Sequence, residues 1–205
     1  QVLEGALYTI TFQDTLLATE VLHVGTAADQ LLVSSEIQYH ILPSFVQRRS
    51  VVVSPVLNPL RYEVEQVELG ARSTWIGERD GEVMHVLNNN LDWFAPVFVE
   101  DVGPAPEVTL ESAPSALPFA LLALRYTEMA EQERQAPLQM HAIDILEDYP
   151  VSRPMTLTVA PARTGAVIGT VALEGQIEGA SNPEFAIFLR PGSRILYSAE
   201  IPDYR

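Results

Sequence analysis

Apolar and polar positions alternate with period two through much of the first half of the chain, the spacing of strands that bury one face and show the other to water. Across residues 4–13, Tyr8, Ile10 and Phe12 interleave with Thr9 and Thr11. The Gln13-Asp14 pair offers a turn, and residues 16–24 return as a second strand. Residues 25–29 read as a loop into a third strand at 30–42, which Pro43-Ser44 breaks before a fourth at 46–56. Asn58-Pro59 signals the turn into 60–69, where Glu63, Glu65 and Glu68 lie among Tyr62, Val64 and Val67 and so point to water. Gly70-Ala71 leads into 72–78, and Arg79-Asp80-Gly81 sends the chain back through 82–88. The spacing predicts a meander of about seven strands over residues 4–88.

The rhythm changes at Asn88. Residues 89–114 hold Trp93, Phe94 and Phe98 among several prolines, too Pro-rich for a central strand and too apolar for a disordered linker, so they read as a packed loop or lid. A helix is expected over 115–135. Ser115 is a good N-cap, Pro118 is tolerated in a first turn, and Phe119, Leu122, Ala123, Tyr126, Met129 and Ala130 recur at helical spacing. Leu117, Leu121 and Leu124 widen that stripe until the first half is apolar nearly all round, while Glu128, Glu131, Glu133 and Arg134 mark an exposed end. Strands resume at 138–146, 155–160, 166–174, 184–189 and 194–201, with Pro191-Gly192 as the last hairpin turn. The predicted fold is mainly β: a strongly curved antiparallel half-barrel of about eleven or twelve strands wrapped around one central α-helix.

Composition narrows the partners. With 205 residues, 47% of them apolar, the chain can fill one core, and a single domain over 1–205 is expected. A formal charge of −15, with every basic residue an Arg, argues against nucleic acid, whose phosphates need a basic surface. The same charge opposes self-contact and predicts a monomer. The absence of Cys removes disulfides, thiolate metal sites and Cys nucleophiles. The chain begins at Gln1 rather than Met, from which removal of a secretion signal or anchor segment is expected.

Catalytic and metal motifs find no support. His23, His40, His85 and His141 lack the HxH or HxxxH spacing of a metal site, and no metal or cofactor is expected. Asp144, Glu147 and Asp148 beside Tyr149 read as a solvated acidic strand end rather than a calcium or acid–base site. No GxSxG elbow occurs, and Ser193 falls in a turn without a positioned His. The glycines lie at strand edges and turns, with no phosphate-binding loop. Trp93, Phe94 and Phe98 are the most suggestive cluster, because three large aromatics in a Pro-rich loop either line the mouth of an apolar cavity or staple the loop to the sheet.

The order of elements carries a resemblance. An opening Gly5-x-x-Tyr8-x-Ile10-x-Phe12 strand, a meander, one helix and further strands closing with Ile187-Phe188-Leu189-Arg190-Pro191-Gly192-Ser193-Arg194-Ile195-Leu196 is similar to secreted bacterial lipoprotein-carrier proteins of the LolA and LppX type. That resemblance implies a half-barrel holding lipid, glycolipid or acylated protein between sheet and helix, outside the cytoplasm. The expected role is therefore non-enzymatic binding or carriage of a lipid, acyl chain or other apolar ligand, with Trp93, Phe94, Phe98, Phe119, Leu122 and Tyr126 as ligand-binding residues. The alternative is a protein-interaction or envelope-assembly module whose sheet edge or aromatic loop receives an envelope protein.

Overall fold

A computed structural model of the chain describes residues 2–27, 30–40, 45–90, 97–99, 108–109, 115–129, 133–143, 151–159, 171–179, 184–189 and 196–200. The period-two segments become an antiparallel meander: β1 (Val2–Phe12), β2 (Thr15–Ala27), β3 (Gln30–Tyr39), β4 (Phe45–Val53), β5 (Pro59–Glu68), β6 (Ala71–Asp80), β7 (Val83–Asn90) and β8 (Val97–Val99) lie in sequence order in one sheet. A second sheet runs in the order β14 (Leu196–Glu200), β13 (Glu184–Leu189), β12 (Val171–Ile177), β11 (Arg153–Val159), β10 (Leu138–Ile143), β9 (Val108–Thr109). All of its neighbours are antiparallel except β9 and β10. One α-helix among the described residues, α1 (Leu117–Glu128), lies between the sheets.

The mainly β, antiparallel, one-helix architecture is as the sequence predicts, but the strands number fourteen among the described residues and divide into two sheets. Two of the additional strands, β8 and β9, fall in 89–114, read as an irregular loop; strands of three and two residues are too short to show a period. The expected loop at 25–29 is shorter, because β2 continues to Ala27, with Gly25 paired to Leu32. Local turn chemistry holds up better. Gln13 and Asp14 both take positive φ, as a two-residue hairpin turn requires. The Asp-Gly turn sits one residue later than read, with Asp80 paired to Val83 and Gly81 at φ +59. The Pro191-Gly192 turn lies outside the described residues.

Alternation sets the two faces of the large sheet. Outward, Glu36, Arg48 and Glu65 stand opposite one another across β3, β4 and β5, with Arg48 bonded to Glu36 at 2.8 Å and to Glu65 at 3.1 Å. Arg61 likewise joins Glu63 and Glu78. Such exposed pairs contribute little stability, yet they keep this face wet. Inward, Leu22, Val33, Val51, Tyr62, Val64 and Met84 form a core with Leu117 and Leu121 of α1. The other side of the helix, through Phe119, Leu122 and Ala123, packs on Met140, Met155, Leu157, Leu173, Phe185 and Ile187 of the second sheet. The all-round apolar character of α1 is thus explained by a sheet on each side.

Two local devices fix the helix. Gly175 stands opposite Phe185 across β12 and β13, and a Cβ there would lie 1.9 Å from Phe185 Cζ, so only glycine lets the ring lie flat. That ring meets Phe119 with centroids 5.3 Å apart. At the other device, the Glu20 carboxylate of β2 is fully buried and accepts from Ser115 Oγ at 2.9 Å and from Ala116 N–H at 2.5 Å. Ser115 Oγ accepts from Leu117 N–H at 3.2 Å, but the N-cap position falls on Ala116, one residue after the Ser115 expected there, and the helix begins at Leu117. A carboxylate at the positive end of a helix is well placed electrostatically.

The helix ends well before Gln135. Met129 is extended, with ψ 151, and the acidic run Glu128, Glu131, Glu133 is unfavourable at a helix C-terminus. Arg134 folds back from a short 3-10 turn (Glu133–Gln135), donating to Thr127 O at 2.7 Å and Met129 O at 3.0 Å while its guanidinium lies 5.2 Å from the centre of the Tyr126 ring.

Glu20→Ala leaves the Ser115 hydroxyl and the Ala116 N–H buried without their acceptor, and should lower unfolding free energy by roughly 2–4 kcal/mol. Urea denaturation reads this directly. An unchanged midpoint would mean that α1 is not anchored at Glu20.

Candidate functional site

At the C-terminal end of α1 lies a cavity of about 1030 Å³ lined by the helix and by both sheets. Its floor is buried and apolar, formed by Leu22, Val33, Met140 and Leu196. Half-buried Ala6, Tyr8, Val24 and Leu31 of the large sheet, Leu138 of β10, and Ala120, Leu124 and Met129 after the helix midpoint make the walls. The turn between β4 and β5 closes one side with Ser54, Pro55, Val56 and Leu57. Its shape is set by Ser54, whose Oγ and backbone N–H bond Asn58, and by Leu57 at φ +62. The mouth is polar and exposed at Glu4, Thr26, Gln30, Glu128, Glu133 and Gln139, with half-buried Arg125 set behind it.

The cavity opens beside the seam between the sheets. Among the described residues no backbone ladder joins β1 to β14, so the barrel-like fold is not closed; the Tyr8 hydroxyl crosses the seam instead, donating to Leu196 O at 2.9 Å. Burial first, and then the nearby Glu20 and Glu4 carboxylates, push the Tyr8 phenol up to about 12. The neutral, hydrogen-bonded phenol is therefore the form the fold selects.

A second polar group links β3, β4 and β5. Gln47 Oε1 accepts from Arg49 Nη2 at 2.7 Å and from Tyr39 Oη at 3.1 Å, and Gln47 Nε2 donates to Gln66 Oε1 at 3.1 Å. Tyr39, Gln47 and Arg49 are buried, and linked polar side chains of this kind help to specify a unique packing. Among the described residues no three His, Asp or Glu side chains gather as metal ligands.

Of the residues singled out from sequence, Phe119 and Leu122 are buried in the core against the second sheet, and Tyr126 packs on the same cluster beneath Arg134. None of the three is a cavity wall; they form the adjoining core. Trp93 and Phe94 lie outside the described residues, as do Asp144, Glu147, Asp148 and Ser193, and of Phe98 only its pairing with Leu87 is described. The cavity instead takes the neighbouring helix row, Ala120, Leu124 and Glu128, with Arg125 and Met129. The signal for that row was the widening of the apolar stripe by Leu124 and the lone Arg125 interrupting it. No sequence signal marks the contributions of β1, β3 and β10, which meet only in three dimensions.

No protein-family model and no curated protein matches this chain. Its structure is similar to the crystal structure of a DUF1089 family protein from Pseudomonas aeruginosa, with a TM-score of 0.58 and 12% identity over 97% of each chain. It is also similar to a beta-barrel-like protein of the domain of unknown function DUF1849 from Brucella abortus, with a TM-score of 0.53 and 12% identity over 95% of this chain and 89% of that one. At that identity the likeness is one of fold, a barrel-like β architecture.

The raised Tyr8 pKa gives a testable pH dependence. The folded chain keeps this proton where the unfolded chain gives it up, so its contribution is fully present below about pH 10 and is lost as pH climbs through about 12. Tyr8→Phe should make the fall in stability between those values shallower by close to one proton in the linkage slope. Urea unfolding of both proteins across this range checks it, and equal slopes would contradict the assignment.

Proposed function

We propose that this chain is a non-enzymatic binding or carrier protein for a lipid, acyl chain or other apolar ligand, working outside the cytoplasm. The observation that carries the reading is the cavity at the C-terminal end of α1, with its buried apolar floor, half-buried apolar walls and exposed polar rim. Its volume of about 1030 Å³ stands at the top of the usual range for small-molecule sites, roughly 300–1,000 Å³. Burial of a chain in such a space supplies affinity at roughly 25 cal/mol per Å² of apolar surface before association costs. The placement outside the cytoplasm draws on the resemblance of the element order along the chain to that of secreted lipoprotein carriers.

A second reading, an interaction module for an envelope protein, draws on the outer face of the edge strand. Leu7 and Val21 stand directly opposite one another there, 69% and 41% exposed. The patch is small beside the cavity, and the carrier reading is preferred.

Neutral alkyl alcohols of increasing length test it. Each added methylene buried in the cavity is worth about 0.8 kcal/mol, so affinity should rise about fourfold per methylene until the space is filled. Thermal shift should rise in parallel, since a ligand that binds only the folded state stabilises it. A series with no dependence on chain length would contradict the carrier reading.

A further inference from the structure

We propose that the free edge of β1 receives an extended peptide segment of a partner protein, apolar at its centre and basic at its ends, which adds to the large sheet as one more strand along Glu4–Ile10. The site lies at the sheet edge rather than inside the cavity, so it does not depend on a bound lipid.

β1 is the first strand of the large sheet and pairs on one side, with β2. Alternate residues of such an edge strand turn both N–H and C=O away from the sheet, and among the described residues no backbone group meets them there. Tyr8 reaches Leu196 through its side chain, which leaves the edge backbone open. Pairing with β2 is regular from Glu4 to Ile10 and shifts register only at the ends of that run. Proteins commonly blunt an exposed edge with Lys, Pro or a bulge, and Glu4–Ile10 holds none of these. Its one charge, Glu4, stands at the end of the run, and Gly5, Leu7 and Thr9 are exposed along it.

An added strand meets apolar side chains on both faces. On the outer face Leu7 is 69% exposed beside Val21, so an apolar residue laid against Leu7 removes surface from water. On the inner face it meets half-buried Ala6, Tyr8 and Ile10. Charge then selects the partner. Glu4 near one end of β1 and Asp14 just past the other are exposed, and β1, β2 and β3 carry neither Lys nor Arg. The remaining acids of these strands are engaged, Glu20 with Ser115 and Ala116, and Glu36 with Arg48. Arg48 on β4 is the first basic residue reached across the sheet, and it is bonded to Glu36 and Glu65. A peptide with Arg or Lys flanking an apolar centre therefore meets opposite charge at each end, whereas a second copy of this chain brings Glu4, Asp14 and a formal charge of −15 of its own.

The test uses the full chain and two acetylated, amidated peptides, Arg-Val-Thr-Val-Thr-Val-Arg and its acidic twin Glu-Val-Thr-Val-Thr-Val-Glu. At low salt the basic peptide should bind about tenfold or more tightly than the acidic one, and the ratio should shrink as salt is added. At saturation, hydrogen exchange of the edge-facing amides within Glu4–Ile10 should slow by about tenfold or more, a change that contacts through side chains alone would not produce. Leu7→Lys places a cation at the centre of the edge and should weaken the basic peptide by about tenfold, thermal melting confirming that the variant folds. Glu4→Gln should reduce the preference for the basic peptide by about twofold to fivefold while leaving the exchange protection at saturation intact. Equal affinity for the two peptides, binding without protection of β1, or no binding of the basic peptide would each overturn the inference. So would a dimer by light scattering that Leu7→Lys dissociates, which would assign the edge to a second copy. Each of these failures leaves the carrier reading standing, because the alkyl alcohols test the cavity separately.

Discussion

A buried carboxylate organises this molecule. Glu20 projects from β2 into the interior and spends both oxygens on the start of α1, one on Ser115 and one on the Ala116 N–H. A fully buried charge is tolerable only with such partners, so the helix N-terminus and the large sheet constrain each other. With its first turn pinned, α1 runs between the sheets, lays Leu117 and Leu121 on one and Phe119 and Leu122 on the other, and carries its opposite end to the cavity. The position of the cavity follows from that anchoring.

The open space at that end has its own physical origin. Where α1 is apolar all round it fills the gap, but beyond Ala123 the helix turns half-buried and polar, and small Ala120 and half-buried Leu124 leave room that neither sheet closes. Arg134 then stops the helix by taking its terminal carbonyls. What remains is space walled by side chains already in place and bridged at its edge by the Tyr8 hydrogen bond to Leu196.

Much of the architecture was legible in the chain because it is local. Alternation placed the meander, Gln13-Asp14 and Gly81 marked hairpins, and Ser115 with the stripe from Leu117 to Leu124 placed the helix. Features that depend on distant partners were not. Nothing local separates one large sheet from two, strands as short as β8 and β9 leave no period, and Arg134 looks like helix until its bonds to Thr127 and Met129 are seen. The site followed the same division. Sequence singled out the bulkiest residues of α1, Phe119 and Leu122, which hydrophobicity drives into the core, while the candidate cavity is bordered by the smaller Ala120 and by Leu124 and Arg125.

The central claim is that the space at the end of α1 receives an apolar chain. The most direct measurement is a set of intermolecular nuclear Overhauser effects between an alkyl ligand and methyl-labelled protein. The account predicts contacts from the chain to the methyl groups of Leu22, Val33, Leu124 and Met140, deep in the cavity. Contacts confined to the outward-facing methyls of Leu7 and Val21 would contradict it.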